Sequence, residues 1–226
     1  MTRVAISQSN YIPWRGYFDM IRKVDHFVLY DTVQFTRRDW RNRNRISTPK
    51  EPIWLTIPVK STGKYYQRIN ETRLVDLRWT ETHLRSMRHA LARAPQFKSW
   101  LSPRLDDWFG SVRDQELLSN VNRSLISAVM LELGINTTLH NAQDLPEVDG
   151  RSEQLLAICK ALGAKTYLSG PAARSYLDEE LFQSQGINIE WMDYPAYPPY
   201  TQLNGSYDAA VSILDTLAYL RPDQVF

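Results

Sequence analysis

Short apolar runs alternate with polar loops and a helical pattern over the first sixty residues. Residues 3–7 and 26–30 are rich in β-branched or aromatic residues and predict two buried strands, and residues 16–23 place apolar side chains at helical spacing. A unit of this kind normally forms parallel strands joined by a right-handed crossover. We interpret residues 31–46 as a polar loop after the second strand and residues 53–59 as a further strand.

The middle of the chain changes to a helical pattern, and the last third alternates again. Residues 79–134 carry apolar positions three and four apart and predict a helical insertion, after which residues 135–140 return to the sheet. Beyond it we predict helix 152–162, strand 165–168, helix 175–184, strand 187–192, a proline-rich surface loop at 194–200 and a last helix at 207–220. The predicted fold class is α/β: a mostly parallel Rossmann-like sheet flanked by helices, in a single α/β domain spanning 1–226 with 79–134 as a helical subdomain.

Composition narrows the classes of function. A chain of 226 residues that is 43% hydrophobic and 23% charged can bury a core without disulfides or metal and is unlike a disordered chain. The single cysteine, Cys159, and the lack of a signal-like apolar segment predict a soluble, cytoplasmic protein, and no apolar stretch approaches the ~20 residues that span a bilayer. The net charge of +2 is too small to predict nucleic-acid binding by the whole surface. Composition assigns no oligomeric state.

The positive charge is nevertheless concentrated in one segment. Five arginines lie within nine residues: Arg37, Arg38, Arg41, Arg43 and Arg45. Guanidinium groups bind phosphates and carboxylates bidentately, and interleaved aromatic side chains can stack on a ligand. The other interpretation is a solvated charge run without a specific role. From this segment we predict the substrate-binding residues Gln34, Arg37, Arg38, Trp40, Asn42, Arg43, Asn44 and Arg45.

The loop after the first strand is a second candidate site, because ligands of open α/β sheets bind beyond the carboxyl ends of the strands. It carries hydrogen-bonding and stacking groups, among which we select Gln8, Tyr11 and Trp14. Alternatively, its aromatic side chains simply close the core. Ser169 and Gly170 follow a later predicted strand, where they either bind an anion with hydroxyl and amide groups or form a plain turn.

His83 and Asp31 are the candidate catalytic bases. His83 lies in a predicted helix beside arginines, and Asp31 ends the second predicted strand. An isolated helical histidine is more often a packing residue, and Cys159 lies in an apolar helix where a thiol is inert. The phosphate-binding GxxxxGK[ST] and dinucleotide-binding GxGxxG motifs are absent, and the four histidines have no metal-ligand spacing. The sequence therefore assigns no metal and no cofactor.

Ordered motifs along nearly the whole chain resemble those of the WbqC-like family. They include ISQSNYIPWRGYFDMI (6–21), DTVQFTRRDWRNRNRI (31–46), WLTIPV (54–59), GAKTYLSGPAARSYLDEELF (163–182) and YTQ (200–202). The resemblance implies a role in bacterial O-antigen, other surface-polysaccharide or secondary-metabolite biosynthesis, as a transferase acting on an amino sugar or an activated acyl or aminoacyl group. It also adds Gln202 to the substrate-binding candidates. The chain departs from the family pattern at Ser9, Leu91 and residues 141–143.

Three functional hypotheses follow. The first is acyl or aminoacyl transfer to an amine of a phosphate-bearing small molecule, with a nucleotide-linked or phosphopantetheine-linked substrate and a carrier protein or tRNA as partner. The second is nucleotidyl transfer, because the opening topology is similar to that of HIGH-type nucleotidyltransferases, although Trp14-Arg15-Gly16-Tyr17 stands where HxGH would be. The third is a non-catalytic module that binds RNA or a carrier protein through the arginine segment.

Overall fold

Five parallel strands form the central sheet in a computed structural model, which describes residues 1–194 and 197–226. The strands are β1 (Arg3–Ser7), β2 (His26–Leu29), β3 (Arg43–Ile46), β4 (Ile53–Thr56), β5 (Thr138–Asn141), β6 (Thr166–Ser169) and β7 (Asn188–Trp191). The parallel sheet has the order β5-β2-β1-β6-β7, while β3 and β4 form a separate antiparallel pair. Counted alone in chain order, the parallel strands run 3-2-1-4-5, which is the Rossmann order. The α/β fold class is thus confirmed.

The described helices cover both faces of this sheet. They are α1 (Arg15–Arg22), α2 (Trp79–Leu91), α3 (Ser102–Ser111), α4 (Leu118–Glu132), α5 (Arg151–Ala161), α6 (Glu179–Ser184) and α7 (Ile213–Tyr219). Successive side chains of a strand point to opposite faces, so β1 contributes to two hydrophobic clusters. Ala5 packs with α1 to α4 and α7, whereas Val4 and Ile6 pack with α5 and α6. The result is a three-layer arrangement with the sheet in the middle.

The predicted helical segment 79–134 contains α2, a π-helical turn at Phe97–Leu101, α3 and α4. Its buried side chains, such as Met87, Leu105 and Leu125, belong to the same hydrophobic cluster as those of α1. In the part of the chain that the structure describes, no helix is long and apolar enough to cross a membrane.

The predicted loop at 31–46 and strand at 53–59 are corrected by the structure. The end of the loop forms β3, and the strand ends at Thr56 and pairs with β3 rather than joining the parallel sheet. β3 escaped prediction because its inward positions are Asn44 and Ile46 and its outward positions are arginines, so no apolar run is visible. The hairpin matters for the candidate site because it carries Arg43 and Arg45, the last two arginines of the arginine segment.

Two helices begin later than the sequence pattern predicts, and in each case a capping side chain sets the start. The helix expected from residue 175 begins at Glu179, where the Asp178 side chain accepts a hydrogen bond from the Leu181 amide. The helix expected from residue 207 begins at Ile213 after the Ser212 cap. Such side chains bind the otherwise unpaired first amides of a helix. In the proline-rich loop predicted at 194–200, residues 195 and 196 lie outside the described residues, and the others form no helix or strand.

Candidate functional site

The polar loops that follow β1 and β2 are joined by direct hydrogen bonds. The Tyr11 amide donates to the Trp40 carbonyl over 3.0 Å. The Asn44 side-chain amide donates to the carbonyls of Tyr11 and Ile12 over 3.1 and 2.8 Å, and its oxygen accepts from the Arg45 amide. Ile12 has a φ of 38°, a conformation that β-branched residues rarely adopt. Asn44 therefore holds the first loop in a strained turn.

Asp31 forms a second connection between the loops. Its carboxylate accepts a hydrogen bond from the Ser9 amide over 2.8 Å, and Asn122 donates to both the Ser9 hydroxyl and the Arg41 carbonyl over 2.9 Å. Burial raises the pKa of Asp31, while the hydrogen bonds from Ser9 and the charge of Arg41 oppose that rise. The carboxyl lines a cavity of about 30 Å³, which has room for a water molecule.

The five clustered arginines fall into two groups. Arg41 pairs with Asp39 over 3.5 Å and also contacts the Asn10 side chain. Arg45 pairs with Asp208 over 3.0 Å. The other three, Arg37, Arg38 and Arg43, form no ion pair with a carboxylate within residues 1–194 and 197–226. Among the described residues these three guanidinium groups therefore lack a direct carboxylate partner, although Arg43 is near enough to Asp39 for the two charges to attract each other.

These three arginines line one cavity of about 230 Å³, which we call the guanidinium cavity. The Arg43 guanidinium donates to the Arg38 carbonyl over 2.6 Å, and Arg37 donates to the Ser61 carbonyl. Asn42 also lines it and is 7% exposed. Its amide nitrogen donates to the Ile57 carbonyl, whereas its buried side-chain oxygen has no partner. The cavity thus combines positive charge with the side chain of Asn42, whose unpartnered oxygen is buried.

Two neighbouring cavities share walls with the guanidinium cavity. One of about 470 Å³ shares Arg37 and Ser61 and adds Gln34 and Lys64. The other, of about 400 Å³, shares Thr56 and Pro58 and is also lined by His83. The three cavities are therefore neighbours that share wall residues.

A further cavity differs from these three in its apolar lining. It has a volume of about 260 Å³ and a mainly apolar lining: Asn10, Pro13, Trp14, Trp40, Asn44, Ala209 and Ala210. We call it the tryptophan cavity. Its wall residue Trp40 packs on Trp54 with ring centroids 5.4 Å apart, and the Arg43 guanidinium carbon lies 4.0 Å from the Trp54 ring centroid. Trp54 thus contacts one wall residue of the tryptophan cavity, Trp40, and one of the guanidinium cavity, Arg43.

His83 is buried and hydrogen-bonded at both ring nitrogens. Nδ1 lies 2.7 Å from the Tyr11 hydroxyl, and Nε2 lies 3.2 Å from the Thr56 carbonyl. Because a carbonyl oxygen only accepts, Nε2 carries the proton and Nδ1 accepts from Tyr11. Desolvation lowers the pKa of His83 to about 4, so the ring is neutral at pH 7.

The remaining predicted residues lie in other surroundings. The Gln8 carbonyl accepts from the Tyr17 hydroxyl over 3.0 Å. Ser169 is buried at the end of β6 next to the Tyr167 hydroxyl, and neither it nor Gly170 lines the cavities described above. Gln202 is buried. Its side-chain nitrogen donates to the Asp208 carbonyl and the Asp215 carboxylate, and its side-chain oxygen accepts from the Asp208 amide, so its contacts are internal.

Sequence reasoning missed several residues that line or connect these cavities. Trp54, Thr56 and Ser61 lie in or after β4, which appeared only as an apolar strand. The sequence feature that could have indicated them is the alternation of apolar and other side chains in β4, in which Leu55 is buried while Trp54 and Thr56 point outward. Ala209 and Ala210 carry no chemical signal and reach the tryptophan cavity through the fold alone. No three His, Cys, Asp or Glu side chains converge as metal ligands among the described residues.

The fold and the cavities define an α/β protein with a Rossmann-ordered sheet and candidate ligand cavities on the loops beyond its first two strands. The chain belongs to the WbqC-like protein family, whose model matches residues 8–225. A protein of Mycobacterium tuberculosis described as uncharacterized protein Rv1507c is 44% identical over 220 residues, which cover 96% of this chain and 93% of that relative. No solved structure matches the chain.

Proposed function

We propose that the protein is a transferase that binds a phosphate-bearing substrate in the guanidinium cavity and transfers an acyl or aminoacyl group to an amine of that substrate. Membership of the WbqC-like family supports placing the reaction in bacterial polysaccharide or natural-product biosynthesis. The observation that carries the proposal is the convergence of Arg37, Arg38 and Arg43 on one cavity without carboxylate partners.

The physical argument rests on charge. Like charges held together are unfavourable unless a counterion joins them, and a phosphate accepts charge-assisted hydrogen bonds from several guanidinium groups at once. Lys64 lines the adjoining cavity and adds a further cation for a second phosphate. Other exposed arginines of the described residues, such as Arg85 and Arg113, also form no ion pair. What distinguishes Arg37, Arg38 and Arg43 is that they line one cavity together, and this shared lining favours a dianionic or trianionic ligand.

The reaction involves no change of oxidation state. The amine nitrogen attacks the carbonyl carbon of the donor, a carbon–nitrogen bond forms, and the bond from that carbon to the leaving oxygen or sulfur breaks. The nitrogen loses one proton to a base, and the leaving group takes one up. Holding both reactants together supplies much of the acceleration in such a reaction. In this proposal the Asn42 side chain orients the amine, which requires a movement that brings its buried, unpartnered oxygen to the substrate.

His83 is the better placed of the two candidate bases. Its Nε2 donates a hydrogen bond to the carbonyl of Thr56, a residue that lines the guanidinium cavity. Asp31 instead lines a separate cavity of about 30 Å³. With a pKa lowered to about 4, His83 is in its basic form throughout the neutral range. To accept a proton at Nδ1 it would exchange its hydrogen bond from Tyr11 for one from the substrate amine. In this proposal Asp31 positions the loops.

The test is isothermal titration calorimetry with inorganic pyrophosphate. Arg43→Ala removes one guanidinium, and a charged hydrogen bond contributes about 1.5–3 kcal/mol, so affinity should fall roughly 10- to 100-fold. Arg113→Ala is the matched control because Arg113 is exposed and lines none of these cavities. Equal affinity of the wild type and Arg43→Ala would refute the proposed site. Release of pyrophosphate from nucleoside triphosphates would instead favour nucleotidyl transfer.

A further inference from the structure

We propose that the tryptophan cavity binds the base of a nucleotide whose phosphates lie in the guanidinium cavity. The inference rests on the proposed function, and it names the substrate class as a nucleotide rather than a phosphopantetheine chain. We assign a base to the tryptophan cavity because this apolar cavity lies close to guanidinium groups that have no carboxylate partner.

The size and lining of the cavity suit a single planar ring system. Drug-sized ligands occupy cavities of about 300–1,000 Å³, and this one has about 260 Å³. Two indoles, Trp14 and Trp40, are on its wall, and the side-chain amide nitrogen of Asn10 supplies a polar group, since Asn44 uses its own amide in internal hydrogen bonds. Stacking on aromatic rings is the common way in which proteins bind a base, since every base has a π face.

Trp14 is held rigidly for this role. Its indole lies over Gly16, where an added Cβ would come within 2.3 Å of the ring. The indole also packs against the rings of Tyr194 and Tyr197, with centroid distances of 5.1 and 6.1 Å. A side chain at position 16 would displace the indole, so glycine is required there by close approach rather than by backbone conformation. A fixed ring loses little freedom when a ligand stacks on it.

Trp40 is the exposed partner, and its exposure calls for an explanation. It is 39% exposed although its indole is apolar over most of its surface. Trp54, which packs on it, is 44% exposed and is covered by the Arg43 guanidinium. A ligand base would bury Trp40 further and extend a ladder of base, Trp40, Trp54 and Arg43. Such burial would remove the cost of an exposed aromatic surface.

The two cavities are linked by a short chain of contacts. From Trp40 the ladder reaches Arg43 in two steps, 5.4 Å between indoles and 4.0 Å from Trp54 to the guanidinium carbon. In this proposal the ribose and first phosphate of one nucleotide span the distance between the base and the guanidinium groups. A phosphopantetheine chain would place a flexible aliphatic segment at the indoles, where it gains no stacking.

The test compares ligands with and without a base. Ribonucleoside diphosphates and inorganic pyrophosphate are titrated into the wild type, Trp40→Ala, Trp40→Phe and the control Tyr66→Ala, whose side chain is 85% exposed and lines none of the described cavities. Since stacking contributes about 1–3 kcal/mol per base, Trp40→Ala should weaken a nucleoside diphosphate roughly 5- to 100-fold. Pyrophosphate binding should not change, and Trp40→Phe should restore most of the nucleotide affinity.

The outcomes separate this inference from the proposed function. If pyrophosphate depends on Arg43 but nucleoside diphosphates bind no more tightly and ignore Trp40, the base site is wrong and the anion site stands. If neither ligand responds to Arg43→Ala, the anion site itself is wrong. Binding of a single-stranded oligonucleotide without binding of nucleotides would also overturn the inference. Melting temperatures of the variants, measured without ligand, establish that they are folded.

Discussion

The two groups of arginines in residues 37–45 differ in what surrounds them rather than in sequence. Arg41 pairs with Asp39 and contacts Asn10 in the loop after β1, and Arg45 pairs with Asp208 and so ties the hairpin to a distant loop. The unpaired group, Arg37, Arg38 and Arg43, lines a cavity without carboxylates. A single charge run therefore contains both the structural side and the binding side of the candidate site. The same division separates Asn44, with three internal hydrogen bonds, from Asn42, whose oxygen is unused.

The largest effect on stability should come from the structural side. Asn44→Ala leaves the buried carbonyls of Tyr11 and Ile12 without their donor, and each unsatisfied group costs about 1–3 kcal/mol. We expect the free energy of unfolding to fall by about 2–5 kcal/mol in urea denaturation. Asn42→Ala is the matched control and should lose about 1 kcal/mol, since it makes one such bond. Equal losses would erase the distinction between the two asparagines.

The next effect is a pH dependence of stability at His83, the candidate base of the proposed reaction, whose ring is buried in the folded protein. Its pKa in the folded protein is about 4, below the usual 6.5, so the unfolded chain binds more protons between these values. Stability from this group is complete above pH 6.5 and is lost as pH falls through 4, by about 3 kcal/mol in all. His83→Gln can keep both hydrogen bonds but cannot titrate. Its stability should therefore vary less between pH 4 and 6.5, and an unchanged pH profile would contradict the buried neutral ring.

Arg45→Ala should have the smallest effect, and it tests most directly whether the paired arginines differ from the unpaired ones. Its pair with Asp208 is partly exposed, and such pairs contribute about 0–1 kcal/mol. We expect unfolding to change by no more than that and pyrophosphate affinity to stay within about twofold, in contrast to Arg43→Ala. A loss of affinity as large as that of Arg43→Ala would mean that paired arginines also bind the ligand. The binding side would then include the whole segment.

Much of the fold could be predicted because its strands are buried. Residues 3–7 and 26–30 have apolar side chains on both faces of the sheet and stand out as short apolar runs, and the flanking helices show helical spacing. The hairpin could not be predicted in the same way, because Arg43 and Arg45 face outward and only one of its two inward positions in β3 is apolar. The helices that start at Glu179 and Ile213 begin after capping side chains. Several nearby residues of the same type could have served as caps, so the sequence did not identify the starts. The single-domain organisation stays a prediction.

The candidate site was predicted in part. The two loops, and within them Trp14, Trp40, Asn42 and Arg43, were selected because polar and aromatic groups follow strands. Gln202 was included by resemblance, and the structure places its side chain in an internal network with Asp215. The internal bonds of such a side chain come from distant residues, so spacing along the chain contains no sign of them.

By itself, the sequence determined the α/β class, the presence of two polar loops after the first two strands and the concentration of positive charge in one segment. These are local properties, since periodicity and residue type do not depend on distant contacts. Only the tertiary structure decided which arginines are paired, which asparagine supports the fold, and that Trp54 of β4 contacts wall residues of two cavities. The reason is that ion pairing, burial and desolvation depend on distances between residues far apart in the chain, as between Arg45 and Asp208.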